Sequence, residues 1–147
     1  MKLKKGFTLI ELLIVLAVIS ALLATLIPVA NSALERAKGV QVAFNLRSVM
    51  DSVVYYYLIN DDIPPTLEEV CRNLKPEQYG AAFRNDNGRL TIIVFTNQTA
   101  RARIVNELLP EVTTSSDTSD DLVFIKGGLQ KDHFDNANFY YEVTYSF

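Results

Sequence analysis

Lys2, Lys4 and Lys5 are followed, from Leu12 to Ala30, by 19 residues without a formal charge, rich in Leu, Ile, Val and Ala. A membrane-spanning helix takes about 20 such residues, so the pattern predicts one span. The basic flank predicts that the first residues stay in the cytoplasm and that everything after Ala30 faces outward. Past Ala30 the pattern becomes amphipathic. Lys38, Gln41, Asn45, Ser48 and Ser52 recur at three- and four-residue steps, while Val42, Ala43, Leu46, Val49, Met50 and Val53 take the opposite arc. This predicts a helix over 31–58 whose apolar side lies beneath a sheet. A helix lying on a membrane surface would carry Lys and Arg across its polar face, and that enrichment is missing.

Asn60-Asp61-Asp62-Ile63-Pro64-Pro65 ends the helix. Thr66 and Glu69 have capping-box spacing, which predicts a short helix from Leu67 to about Leu74, stopped by Pro76, with a loop beginning at Tyr79-Gly80. Segments 81–83 and 90–95 flank Asp86-Asn87-Gly88 and predict a β-hairpin. Segment 99–109 reads as a second short helix ending at Pro110, segment 113–121 as an exposed loop, 122–125 as a strand closed by Gly127-Gly128, and 139–147 as a final strand. The expected fold class is α+β: a long N-terminal helix, half membrane-embedded and half amphipathic, packed on a small, mainly antiparallel sheet. The 89 residues after position 58 are few for an independent core, so the apolar arc of the helix is needed to complete it.

Composition narrows the function classes. The chain of 147 residues is 49% hydrophobic and 21% charged, which excludes a disordered or collagen-like polymer. Cys71 and His133 are the single cysteine and histidine, so an internal disulfide and the common Cys/His zinc sites are excluded. Fourteen basic against 17 acidic residues argue against nucleic-acid binding, and Arg101 with Arg103 does not make a footprint. Asp132-His133-x-Asp135 lacks a second strong ligand and reads as a solvated loop. Asp117, Asp120 and Asp121 are a weak calcium suggestion, because hard cations take clustered oxygens. No nucleophile–base set, P-loop or dinucleotide fingerprint occurs. No enzyme, cofactor or metal site is expected.

One residue in the apolar stretch needs an explanation. Glu11 places a carboxylate where insertion costs about 2.5–3.5 kcal/mol, and no Lys or Arg lies within a turn on its C-terminal side. A signal peptide would be cut after a short apolar run, near Ala24, Ala30 or Ser32, but this run is long and contains Pro28. An ordinary signal anchor leaves Glu11 unexplained. A cut between Gly6 and Phe7 would free an α-amino group four residues before Glu11, on the same helical face, able to neutralise it within or between chains.

Lys5-Gly6-Phe7-Thr8-Leu9-Ile10-Glu11-Leu12 resembles the processing site of type IV prepilins and type II secretion pseudopilins. The resemblance covers about the first 60 residues. It implies a leader (1–6) removed by prepilin peptidase after Gly6, methylation of the Phe7 amine, and a transmembrane and assembly helix (7–30) bent at Pro28. It further implies that Glu11 pairs with a neighbouring subunit during polymerisation, with an amphipathic spine (31–58) and a head (59–147) following. The implied partners are other pilins, the peptidase, an inner-membrane assembly platform and, before assembly, lipid. The precursor is expected in the inner membrane of a bacterium and the product in an extracellular or periplasmic filament. A surface type IV pilin serving adhesion, motility or DNA uptake is preferred over a secretion pseudopilin, and a signal-anchored binding domain is the different-class alternative. Many pilins close a C-terminal loop with a disulfide, which this chain cannot do.

Overall fold

The computed structural model describes residues 7–71, 74–86, 88–116 and 121–146. The first element is α1 (Leu9–Asn60), with Pro28 inside it. The chain divides into two compact units, one ending at Glu35 and one beginning at Arg36, and α1 contributes to both. In the first unit every side chain from Phe7 to Leu34 is exposed, and the helix has an 18-residue window of mean hydropathy 2.8. That is long and apolar enough to cross a membrane.

In the second unit α1 buries Val42, Ala43, Leu46, Val49, Met50 and Val53, the arc expected from the sequence, together with Gly39. They meet a five-stranded antiparallel sheet made of β1 (Tyr79–Asp86), β2 (Arg89–Thr96), β3 (Val112–Thr113), β4 (Val123–Phe124) and β5 (Phe139–Ser146). The order is β3-β5-β2-β1-β4. Strands β1 and β2 form the expected hairpin, pairing Asp86 with Arg89. Gly88 supplies the positive φ (84°) that such a turn requires, while Asn87 lies outside the described residues.

Strand β2 is buried from Leu90 through Thr96 because both faces are covered. Leu90, Ile92 and Val94 pack with the α1 arc. Ile93 and Phe95 pack on the other face with Leu129, Phe134, Ala137 and Tyr140. In this second core the Phe134 ring meets those of Phe95, Phe124 and Tyr140 edge-on at 5.0, 5.5 and 5.1 Å. The Tyr140 hydroxyl donates to the Phe134 carbonyl. A strand covered on both sides reads as a continuous apolar run, which is how 90–95 reads.

Five local expectations are corrected. The helix after Pro65 is a single turn, α2 (Leu67–Val70), and Thr66 makes no side-chain cap. Thr66 bridges Lys126 in parallel, and the Leu67 N–H donates to the Lys126 carbonyl at 2.8 Å, so the backbone of a distant segment satisfies the first helical donor, which a side-chain cap does not serve. Residues 72 and 73 lie outside the described residues. Tyr79-Gly80 opens β1 and is not a loop. A β-carbon at Gly80 would stand 2.6 Å from the Leu129 carbonyl oxygen, so glycine marks a close crossing here. The second short helix is trimmed to α3 (Ala102–Leu108), and Val112–Thr113 is a strand against β5. Finally, segment 131–134 forms a one-turn helix, α4 (Lys131–Phe134), that anchors Phe134 in the second core while Asp132 and His133 stay exposed.

Candidate functional site

Polar residues begin α1, directly before the apolar run from Leu12 to Ile19. Thr8 precedes the helix and Glu11 lies in its first turn. The Thr8 N–H and hydroxyl both donate to Glu11 Oε2, at 2.8 and 2.7 Å. The Glu11 N–H points back to Thr8 Oγ1 at 3.4 Å, and the Leu12 N–H reaches the Thr8 carbonyl at 3.3 Å. This is a capping box, in which the cap residue and the third helical residue satisfy each other's backbone donors. A carboxylate in the first turn also meets the positive end of the helix dipole. Glu11 therefore has an intrachain partner that keeps its side chain folded toward the helix start.

Sequence reasoning sought the partner of Glu11 among charged groups and passed over Thr8. The signal was present: Thr8-x-x-Glu11 has the same spacing as Thr66-x-x-Glu69, where a box was expected and does not form. The surroundings differ. At Thr66 a distant strand-like segment holds the backbone and takes the Leu67 N–H, whereas the start of α1 has no other described segment against it and its first turn is closed by the Thr8 and Glu11 side chains.

Phe7 stands next to this box and is 86% exposed. Gly6 and the rest of 1–6 lie outside the described residues. Pro28 lies one residue away from Ile27 and Val29, both exposed, and three after Thr25, whose hydroxyl donates to the Leu22 carbonyl at 2.9 Å. Such back-bonding satisfies a polar side chain in an apolar setting.

Elsewhere the chemistry is sparse. Among the described residues no group of three His, Cys, Asp or Glu is placed to hold a metal. Asp121 is exposed, and Asp117 and Asp120 lie outside the described residues. Cys71 is buried at the end of α2. Burial pushes its thiol pKa up, partly offset by a hydrogen bond with the Ser52 hydroxyl. That is the setting of an inert thiol, since the thiolate is the reactive form.

Residues 1–27 match the family model of the prokaryotic N-terminal methylation motif, the prepilin-type motif of type IV pilins and pseudopilins. Comparison with curated proteins found no match, and neither did comparison with solved structures. The motif and the apolar helix behind it fit a membrane-anchored precursor.

Proposed function

We propose that this chain is a non-enzymatic structural subunit of a type IV pilus-like filament. The observation that carries the reading is the methylation motif, matched over 1–27, running into an apolar helix, with all side chains exposed from Phe7 to Leu34. Exposed apolar surface of that extent needs lipid, and later other helices, to cover it. The precursor enters the membrane with its basic end inside. Prepilin peptidase cuts between Gly6 and Phe7, and the Phe7 amine is methylated. The subunit then passes from lipid into a helical array through the assembly platform. In that array the carboxylate of Glu11, held near the helix start by Thr8, neutralises the cationic amine of Phe7, within one chain or between neighbours. In an apolar surrounding an unpaired charge costs several kcal/mol, so this pairing favours correct docking over mismatched docking.

Mass analysis of the mature N-terminus, with electron microscopy of sheared filaments from the same cells, tests the reading. The expected result is a chain that begins at a methylated Phe7 and is present in filaments. A chain still beginning at Met1 in a cell with active peptidase overturns it.

A further inference from the structure

The buried arc of α1 is not its only apolar one in the second unit. Val40, Phe44, Arg47, Asp51, Tyr55 and Leu58 follow one another at three- and four-residue steps and share a second face, and all six are exposed. Phe44 and Tyr55 are 70% and 68% exposed. Beside Val40 and Phe44, Leu108 of α3 and Leu109, which follows it, form an open apolar slot of about 190 Å³, with Arg47 at its edge. A row of exposed large side chains next to a slot marks an interaction surface.

The charges in the middle of the row select the occupant. Arg47 Nε lies 3.8 Å from Asp51 Oδ2, with the two side chains 64% and 71% exposed. Such a pair is loosely held and open to exchange. An anionic lipid surface selects faces with excess Lys and Arg, and this face carries one charge of each sign. A face with opposite charges one turn apart is complementary to a copy of itself. In register, a parallel copy would set Arg47 against Arg47 and Asp51 against Asp51. Shifted by four residues, about 6 Å, it brings Arg47 to the partner's Asp51, Val40 to the partner's Phe44 and Tyr55 to the partner's Ile59. An antiparallel copy also pairs the charges, but chains anchored in one membrane by the same end run parallel.

We propose that this face docks a second copy of the chain, parallel and one helical turn out of step. Arg47 pairs with the partner's Asp51, and the partner's Phe44 enters the slot beside Val40 and Leu108. The orientation rests on the filament reading; the contact itself is a separate claim about these residues.

The test uses full-length chains in membranes with Cys71→Ser as background. One copy carries Val40→Cys and a differently tagged copy carries Phe44→Cys, and the mixed disulfide is quantified after mild oxidation. Adding Arg47→Glu to the first copy is expected to lower the mixed disulfide about fivefold or more. Adding Asp51→Arg to the second copy as well is expected to restore it. Because the pair within each chain is then broken in both copies, restoration reports a contact between copies. A disulfide yield indifferent to these charges, failure of the double change to restore it, or stronger crosslinking of Val40→Cys with Leu58→Cys overturns the proposal. Processed subunits in normal filaments alongside any of those results overturn this contact alone. Unprocessed chains and no filaments overturn the filament reading.

Discussion

Gly39 of α1 and Ile104 of α3 approach so closely that a β-carbon at position 39 would stand 2.6 Å from Ile104 Cγ2 and 2.8 Å from its Cβ. Ile104 cannot swing clear, because β-branching stiffens its first side-chain torsion, so α3 itself would have to move. On propensity alone Gly39→Ala stabilises a helix by about 1 kcal/mol. Overpacking opposes this by about 1–3 kcal/mol, and the expected net effect is a lower melting temperature. Thermal unfolding of the full chain in detergent checks it, and Gly39→Ala with Ile104→Ala should recover most of the loss attributable to the clash.

Gly80 predicts a larger effect. Its added β-carbon would meet the Leu129 carbonyl oxygen at 2.6 Å and the Phe95 ring, and neither can retreat, since both belong to the second core. Gly80→Ala is expected to destabilise by about 3 kcal/mol, at the upper end of overpacking costs. Chemical denaturation followed by tyrosine fluorescence measures it.

At the start of α1, cap and charge can be separated. Glu11→Gln keeps an acceptor at the capping-box position and removes the charge. It is expected to preserve amide protection in the first turn, insert more easily because a costly carboxylate has gone, remain processed, and yet form few filaments. Thr8→Val should do the reverse at the helix start, losing the hydroxyl's bond to Glu11 Oε2 and the acceptor of the Glu11 N–H, though not the bond from the backbone N–H, and about 1 kcal/mol of cap stability. Hydrogen exchange of residues 9–13 in micelles, set beside filament counts, tells the two apart. Abundant normal filaments from Glu11→Gln would show that the charge has no part in assembly.

The second unit should also lose stability in alkali. Burial raises the pKa of Tyr79, outweighing its hydrogen bonds with Asn45 and Thr96, and burial likewise raises Tyr140 and Cys71. Above the ordinary values, about 8.5 for cysteine and about 10 for tyrosine, the unfolded chain releases these protons before the folded one does. The unfolded state then binds fewer protons, so stability falls as pH rises from about 8.5 and more steeply above about 10. Urea midpoints between neutral and alkaline pH check this. Tyr79→Phe should flatten the slope near pH 10 while costing about 1 kcal/mol at neutral pH for the lost Asn45 bond.

Much of this architecture was legible from local pattern. The arc from Val42 to Val53 announced which side of α1 is buried, and Asp86-Asn87-Gly88 announced the hairpin, because amphipathic period and turn chemistry are properties of neighbouring residues. The elements missed were those decided at a distance. Tyr79-Gly80 resembles a loop until Phe95 and Leu129 close on it, and then only a residue without a side chain fits a strand there. Residues 131–134 carry a weak helical signal, and their turn sits where Phe134 reaches the ring cluster.

The two Thr-x-x-Glu sequences divide what the chain determined alone from what its folding decided. At Thr8 and Glu11 the sequence by itself determined the cap, as it did the apolar helix behind it, because no other described segment lies against that turn. At Thr66 and Glu69 the same spacing forms no box; the backbone there is pinned by a bridge to Lys126, sixty residues away, whose carbonyl takes the Leu67 N–H. Local spacing states which hydrogen bonds a segment can make. Tertiary structure decides which of them it keeps, because each donor goes to whichever acceptor the packed chain brings within reach.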